Sequence, residues 1–145
     1  MSAETSMRED QAILLIDDSP DVREAIAELL VAAGYRVETA ADGQAALDRL
    51  REGFTPRVIL LDWLMPGMDG RAFRQRQVAD PGLKGIPVVV FTADGRANEK
   101  ARALGVRDAI RKPPDIDAML VIVARYCSDP TDARPPLAPG LPQAS

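Results

Sequence analysis

The chain alternates short aliphatic runs with segments in which apolar residues recur every three or four positions. The most apolar runs are typical of strands that a sheet buries on both faces, and the periodic segments are typical of amphipathic helices. Strands are predicted at residues 12–16, 35–40, 57–62, 86–92 and 107–111. Helices are predicted at residues 20–33, 43–50, 70–78, 96–104 and 115–127. The pattern is a strand followed by a helix, repeated five times.

The first helix carries clear start and stop signals. Ser19 suits the N-cap position, Pro20 suits the first turn, and Asp21 lies where the positive end of a helix favours a carboxylate. Gly34 is placed to end the helix. The positions predicted to face the core are Val22, Ala25, Ile26, Leu29, Leu30 and Ala33.

This alternation predicts an α/β fold. Strands joined through helices form a parallel sheet that is covered on both faces and connected by right-handed crossovers. In such sheets the ligand site lies beyond the carboxyl ends of the strands. Residues 1–10 lack periodicity and are predicted to be a flexible tail. Residues 128–145 are rich in proline and are predicted to be disordered, which leaves 11–127 as the folded domain.

Composition narrows the possible functions. A chain of 145 residues has the length of one domain, and its net charge of −4 gives no general attraction to nucleic acid or to an anionic membrane. It has one cysteine, Cys127, and no histidine, which excludes an internal disulfide, a zinc site of Cys and His ligands and His-based catalysis. No apolar run approaches the roughly 20 residues that cross a bilayer. A cytoplasmic location is therefore expected.

Polar side chains follow four of the five predicted strands. Asp17 and Asp18 follow the first, and Asp62, Thr92 and Lys112 end or follow the third, fourth and fifth. Each residue alone has an ordinary explanation as a helix cap, a turn former or a solvated strand end. Because parallel strands end at the same edge of a sheet, all five are expected to meet there, and this conjunction indicates a site.

The expected site is acidic. Three carboxylates brought together repel one another and call for a cation, and a set of oxygen ligands without Cys or His suits Mg²⁺. With the cation and Lys112 neutralising charge, a carboxylate can accept a phosphoryl group. Asp62 is the expected acceptor, because its strand is central and a tight turn follows it. Asp17 and Asp18 lead into a helix and are better placed to hold the metal.

At these residues the sequence resembles the receiver domains of two-component response regulators, especially the chemotaxis type. The motifs LLIDDSP, LLDWLMPGMDG, VVVFTA and RKPP occur in the order and spacing of the family, across residues 11–127. The resemblance implies a flavodoxin-like, doubly wound (βα)5 fold whose five parallel strands have the order 2-1-3-4-5.

The resemblance also implies a role for each residue of the site. Asp17, Asp18, Asp62 and the backbone carbonyl of Leu64 would bind Mg²⁺, and Asp62 would take the phosphoryl group. Thr92 would turn its hydroxyl towards the phosphoryl oxygen, Ala93 would offer its amide, and Lys112 would pair with the phosphate. The donor would be a phosphohistidine on a histidine kinase or a phosphotransfer protein.

The implied output is a partner surface. By resemblance, a downstream protein would bind the face built from the fourth helix, the fifth strand and the fifth helix (the α4-β5-α5 face). The chain would be a monomer or a weak dimer. On the fifth helix, Ile116, Met119, Leu120, Val123 and Cys127 form the core stripe, whereas Val121 and Ile122 lie off it. These two residues are either shielded by a neighbouring helix or part of that surface.

Two features depart from the family pattern. Ala109 stands where an aromatic residue usually reports the phosphorylated state, so the switch either relies on Thr92 and the following loop or is weakly coupled to output. The helix at 70–78 carries Arg71, Arg74 and Arg76, which are interpreted as a solvated basic face or, alternatively, as a surface for an acidic partner.

The sequence leaves three hypotheses for the function of the chain. The leading hypothesis is a phosphorylation-switched signalling module that is not an enzyme beyond its own phosphorylation and dephosphorylation. A degenerate receiver that acts by constitutive contact is the alternative that Ala109 keeps open. An aspartyl-phosphate phosphatase or phosphotransferase is less favoured, because a haloacid-dehalogenase-like enzyme has DxDx[TV] after its first strand and this chain has DDSP there.

Overall fold

The computed structural model describes residues 12–63, 65, 67–92, 99, 102–106, 108–111 and 115–127. Five parallel strands form one sheet in the order β2-β1-β3-β4-β5, which confirms the predicted fold. The strands are β1 (Ala12–Ile16), β2 (Arg36–Ala40), β3 (Val58–Asp62), β4 (Val88–Thr92) and β5 (Asp108–Arg111). The helices are α1 (Pro20–Ala32), α2 (Gly43–Arg51), α3 (Gly70–Val78) and the C-terminal helix (Ile116–Cys127). The predicted tails at 1–10 and 128–145 lie outside the described residues.

The first three helices begin at residues that the sequence marks as caps. The Ser19 hydroxyl accepts the N–H of Val22, and the carboxylates of Asp42 and Asp69 accept the N–H groups of Ala45 and Ala72. Each bond satisfies one of the free amides of a helix start. Of the predicted helix at 96–104, residues 99, 102 and 103 are helical and most others lie outside the described part.

Two apolar clusters cover the two faces of the sheet. The first cluster joins α2 and α3 to one face and includes Leu14, Ile16, Leu47, Ile59, Leu61, Phe73 and Val90. The second cluster joins α1 and the C-terminal helix to the other face and includes Ile13, Leu15, Leu30, Leu60, Phe91, Met119 and Val123. Successive residues of β1 and β3 fall in alternate clusters, as the pleat of a strand requires. Both faces are buried, and the polar residues are left for the edges.

Two helix faces differ from the prediction. In α1, Ile26 and Leu30 are buried, but Leu29 is 39% exposed and Ala25 is exposed, so the core-facing stripe is narrower than six positions. In α3, Arg74 is only 8% exposed, and the interpretation of three solvated arginines is wrong for this residue. Arg74 and Gln77 use their polar atoms on neighbouring backbone and on each other.

On the C-terminal helix, the two apolar residues off the predicted stripe, Val121 and Ile122, differ in burial. Ile122 packs against the second cluster, whereas Val121 is 58% exposed. Cys127 is buried in the same cluster, as predicted for a residue of the core stripe. Tyr126 donates a hydrogen bond to the carboxylate of Asp108, which ties the end of this helix to the start of β5. Within the described residues, no helix has both the length and the apolar character that a bilayer span needs.

Candidate functional site

The register of the sheet brings Asp17 and Asp62, two of the predicted site residues, to one edge. Ile16 pairs with Leu61, so the next residues, Asp17 and Asp62, continue side by side. Asp17 and Asp62 also lie two residues beyond Leu15 and Leu60, whose side chains share the second cluster, so both carboxylates extend from the same face. The structure thus places the segments that carry Asp17 and Asp62 next to each other at the carboxyl edge of the sheet.

The carboxylates of Asp17, Asp18 and Asp62 form a compact acidic cluster. One oxygen from each residue lies within 4.8 Å of the others. Asp17 is fully buried and Asp62 is 3% exposed, whereas Asp18 is exposed to solvent. The cluster therefore has a buried side and an open side.

Asp17 is held by hydrogen bonds of both its carboxylate and its backbone. Its carboxylate accepts the N–H of Ser19 at 2.9 Å, and its own N–H donates to the carbonyl of Ala40 at 3.2 Å. Its carbonyl accepts Nη1 of Arg23 at 2.8 Å. The turn from β1 into α1 is thereby fixed, and the backbone N–H of Ser19 helps to orient the Asp17 carboxylate. Sequence reasoning missed Arg23, which lies one helical turn after the N-cap and has no motif of its own.

The loop after Asp62 is fixed by two close approaches at glycines. The N–H of Gly70 donates to the carbonyl of Trp63 at 3.0 Å, and a Cβ at residue 70 would lie 2.7 Å from the Cα of Trp63. A Cβ at Gly43, in the first turn of α2, would lie 2.9 Å from the side chain of Met68. Only glycine permits these contacts without a shift of neighbouring atoms. Met68 and Trp63 are therefore packed against the starts of α2 and α3, respectively.

Thr92 ends β4 and is buried, at 1% exposure. It pairs with Arg111, and Lys112 follows Arg111 in the chain. The predicted roles of Lys112, Leu64 and Ala93 fall on positions outside the described residues. Ala109 is partly buried against the first cluster, so a small side chain occupies the place where the family pattern has an aromatic ring.

The donor set fits a hard divalent cation. Three carboxylates with no nitrogen or sulfur ligand suit Mg²⁺ or Ca²⁺ rather than zinc. The open side at Asp18 leaves room for water ligands and for an incoming oxyanion. Without a cation the three negative charges oppose one another, so the cluster is stabilised by positive charge.

A groove at the opposite edge of the sheet lacks this character. It is lined by Arg36, Glu38, Arg49, Phe54 and neighbours near the amino ends of the strands. Arg49 and Arg36 contact Glu38 at 2.7 and 3.4 Å, and the Arg36 guanidinium lies 5.5 Å from the centroid of the Phe54 ring. These charged groups of the groove already pair with one another. The acidic cluster at the carboxyl edge of the sheet is therefore the better candidate for a functional site, although it is not the groove.

Comparison with protein families gives a match over residues 13–124 to the model described as response regulator receiver domain. The sensor histidine kinase RcsC of Salmonella typhi is 38% identical over 120 residues, which cover 81% of this chain and 12% of that protein. The phosphate regulon transcriptional regulatory protein PhoB of Pseudomonas aeruginosa is 34% identical over 139 residues, which cover 90% of this chain and 58% of that protein. The chain thus spans only part of these curated relatives.

Solved structures agree in fold. The chemotaxis protein CheY4 of Vibrio cholerae has a TM-score of 0.74 and 30% identity, covering 80% of this chain and 98% of that one. The receiver domain of the sensor histidine kinase PA1611 from Pseudomonas aeruginosa has a TM-score of 0.73 and 28% identity, covering 82% and 98%. That structure is described with a magnesium ion coordinated in its active site cleft.

Proposed function

The chain belongs to the family of response regulator receiver domains, and on that premise we propose that it is a switch operated by phosphorylation of Asp62. Receiver domains are signalling modules that interact with histidine kinases or phosphotransfer proteins. The observation that carries the proposal is the convergence of Asp17, Asp18 and Asp62, with carboxylate oxygens within 4.8 Å of one another at the carboxyl edge of the sheet. Such a cluster is stabilised by a bound cation, and a cation beside a carboxylate suits the acceptance of a phosphoryl group.

Asp62 is the acceptor in this proposal. One of its carboxylate oxygens attacks the phosphorus of a phosphohistidine on the partner, the new O–P bond forms, and the N–P bond breaks. The electron pair of the N–P bond stays on the imidazole of the partner, so no redox partner is needed. Asp62 is central in the sheet and buried to 3% exposure, which limits the access of water to the acyl phosphate. Thr92, Ala93 and Lys112 are proposed to hold the phosphoryl oxygens.

The same edge is proposed to bind Mg²⁺. Asp17, Asp18, Asp62 and the backbone carbonyl of Leu64 would hold the ion, and Asp18 offers the exposed carboxylate of the cluster. When bound, Mg²⁺ would neutralise negative charge on the transferred group. The hydrogen bond from Ser19 and the contacts of Gly70 would keep Asp17 and the Asp62 loop in place while charge changes nearby.

The proposed output is binding of a downstream protein at the face formed by the predicted fourth helix, β5 and the C-terminal helix. Val121, 58% exposed, supplies apolar surface there. Ala109 favours a second candidate, a receiver that contacts its partner constitutively, because the usual aromatic switch is missing. A cytoplasmic location, a monomer or weak dimer, and the lack of nucleic-acid binding stay predictions.

The proposal is tested at Asp62 with the fluorescence of Trp63, the only tryptophan in the chain. We expect acetyl phosphate or beryllofluoride with Mg²⁺ to change the emission of the wild type, because Trp63 adjoins the acceptor and is buried. Asp62→Asn should abolish this change, and mass spectrometry should show no added phosphoryl group. Asp48→Asn, an exposed aspartate on α2, is the matched control and should respond like the wild type.

A full response in Asp62→Asn would reject Asp62 as the acceptor. The constitutive candidate is separated by partner capture with and without beryllofluoride. Equal capture in both conditions, together with stable phosphorylation of Asp62, would favour constitutive contact over the switch.

A further inference from the structure

Arg74 is a buried arginine that bonds to a distant part of the chain. It lies in α3 with 8% of its surface exposed. Its Nε donates to the carbonyl of Leu104 at 2.9 Å, and its Nη1 donates to the side-chain oxygen of Gln77 at 2.7 Å. A buried guanidinium loses much hydration, so bonds of this geometry are needed to hold it there. Arg71 and Arg76, on the same helix, are exposed.

Gln77 extends this network to the loop before β4. It is fully buried, and its Nε2 donates to the carbonyls of Leu83 and Ile86, both at 2.9 Å. The two side chains therefore join α3 to two segments that flank β4 in the sequence. A short hydrophobic residue at 74 would leave the Gln77 oxygen without this donor, so the two positions act as one unit.

The carbonyl of Leu104 closes the helical stretch that precedes β5. Residues 102 and 103 are helical, and the N–H of Gly105 donates to the carbonyl of Arg102 at 2.9 Å. Gly105 has a φ of 84°, which turns the chain out of the helix. The last carbonyls of a helix lack partners within it, and a cation near them is favourable. Arg74, which lies on another helix, supplies both a hydrogen-bond donor and a positive charge to the carbonyl of Leu104.

We infer that Arg74 is a positioning residue that fixes the far end of the segment between Thr92 and β5. The near end of this segment is Thr92, which the proposed function makes the place where phosphorylation acts, so the inference rests on that function. The Leu104 end is bonded to α3 and packed on the first cluster, together with Val106. A change that begins at Thr92 is then not passed on to residues 102–106, which stay bonded to α3. The Arg74 anchor occurs in a chain whose fifth strand has Ala109 where the family pattern has an aromatic switch residue.

The anchor is tested by hydrogen exchange of residues 99–106 in the unphosphorylated protein. Arg74→Met should speed exchange of these amides by at least about tenfold relative to wild type, because the Leu104 end loses its bond to α3. Arg71→Met, an exposed arginine one turn earlier, should leave their exchange unchanged. The slowest amides of β1 report global unfolding and serve as the internal reference. Unchanged exchange at 99–106 in Arg74→Met would overturn the inference.

Arg74→Lys is the second variant, for the case that Arg74→Met does not fold. Lysine keeps the charge but lacks the planar fork that reaches Leu104 and Gln77 at once, so faster exchange is expected here too. If the amides of Arg74→Lys exchange as slowly as those of the wild type, the positive charge alone holds the segment. This result would contradict the proposed role of the planar guanidinium.

The effect of the anchor on the response to phosphorylation is tested by adding Mg²⁺ and beryllofluoride. In wild type the exchange of residues 102–106 should stay unchanged, and in Arg74→Met it should change. A change at 102–106 in the wild type as large as in Arg74→Met would overturn this role of Arg74. If the wild type shows no beryllofluoride response in exchange or in Trp63 emission, the proposed function fails, while the anchor still stands or falls by the exchange of the unphosphorylated protein.

Discussion

Asp17 and Asp18 are consecutive residues with different surroundings. Asp17 is buried and its carboxylate accepts the N–H of Ser19, whereas Asp18 is exposed at the open side of the acidic cluster. A buried carboxylate with a backbone partner already has part of its charge stabilised. Asp18 therefore has more to gain from a cation that arrives from solvent.

This difference predicts how Mg²⁺ affects thermal stability. A ligand that binds only the folded state stabilises it by about 2.7 kcal/mol at a concentration one hundred times its Kd. We expect Mg²⁺ to raise the Tm of the wild type and Asp18→Ala to lose more than half of the rise, as measured by differential scanning calorimetry. Asp21→Ala, an exposed aspartate in the first turn of α1, should keep the full rise. Equal rises in Asp18→Ala and wild type would contradict the metal site.

Gly70 is predicted to tolerate no side chain. A Cβ there would lie 2.7 Å from the Cα of Trp63 and 2.9 Å from the carbonyl oxygen of Asp62, and backbone atoms cannot yield as a flexible side chain can. Gly70→Ala should lower the free energy of unfolding by about 2–3 kcal/mol. Gly85→Ala is the control, because nothing lies within 4 Å of its Cβ position, and urea denaturation should show it close to wild type. A neutral Gly70→Ala would mean that the loop shifts without cost.

Part of the site could be predicted from single residues and part could not. Asp17 follows a strand and Asp62 and Thr92 end strands, and parallel strands end at one edge, so the sharing of that edge follows from the alternation of elements. Arg23 and Gly70 serve the same edge through contacts with the backbone of Asp17 and of Trp63. Gly70 ends the motif LLDWLMPGMDG, but neither contact could be predicted from a local pattern, because both depend on atoms that only the folded chain brings near.

At the scale of elements, α1 and α2 end in the same way. After α1, the N–H of Gly34 donates to Val31 and that of Tyr35 to Leu30. After α2, Gly53 and Phe54 repeat the pattern with Leu50 and Arg49. Gly34 has a φ of 102° and Gly53 a φ of 111°. Both ends are Schellman motifs, which satisfy carbonyls that the helix leaves free.

These motifs predict the cost of a side chain at either glycine. Gly34→Ala and Gly53→Ala should each lower the free energy of unfolding by about 1–2 kcal/mol, because alanine is strained in the left-handed region. Guanidinium denaturation of each single variant should show this loss. A stabilised Gly34→Ala would show that the turn can adopt another conformation.

The positions of the strands and helices could be predicted from the sequence. Which residues of each helix are buried could be predicted less well. Caps, glycines and aliphatic runs are local signals, and they placed the described strands and helices within two residues. The periodicity of α1 gave six core positions where the sheet covers fewer, because the width of the buried stripe depends on the neighbouring helix. Arg74 was misjudged for a related reason, since its carbonyl partner lies 30 residues away.

At the scale of the whole molecule, two apolar clusters share one sheet. Leu47 lies in the first cluster and Leu30 in the second, and both are fully buried. Each strand of the centre contributes side chains to both clusters, so neither cluster can be lost while the sheet remains. Unfolding is expected to be a single cooperative transition.

This arrangement predicts that a core substitution on either face of the sheet leaves unfolding equally cooperative. Leu30→Ala and Leu47→Ala should each cost about 2–5 kcal/mol and leave one transition with an unchanged denaturant slope. Leu29→Ala, next to Leu30 but 39% exposed, is the control and should cost less than about 1 kcal/mol. Circular dichroism and Trp63 fluorescence should give coincident curves, and separate midpoints would mean that the faces unfold independently.

The strand order has a consequence for biosynthesis. β3 lies between β1 and β4, and β4 follows it by 25 residues, so an elongating chain that has just completed β3 has a bare hydrogen-bonding edge of aliphatic residues. Such an edge recruits other strands until its partner emerges from the ribosome. Nascent chains in which β3 has emerged from the ribosome and β4 has not would therefore be the aggregation-prone stage of production, and the stage at which holding chaperones matter most.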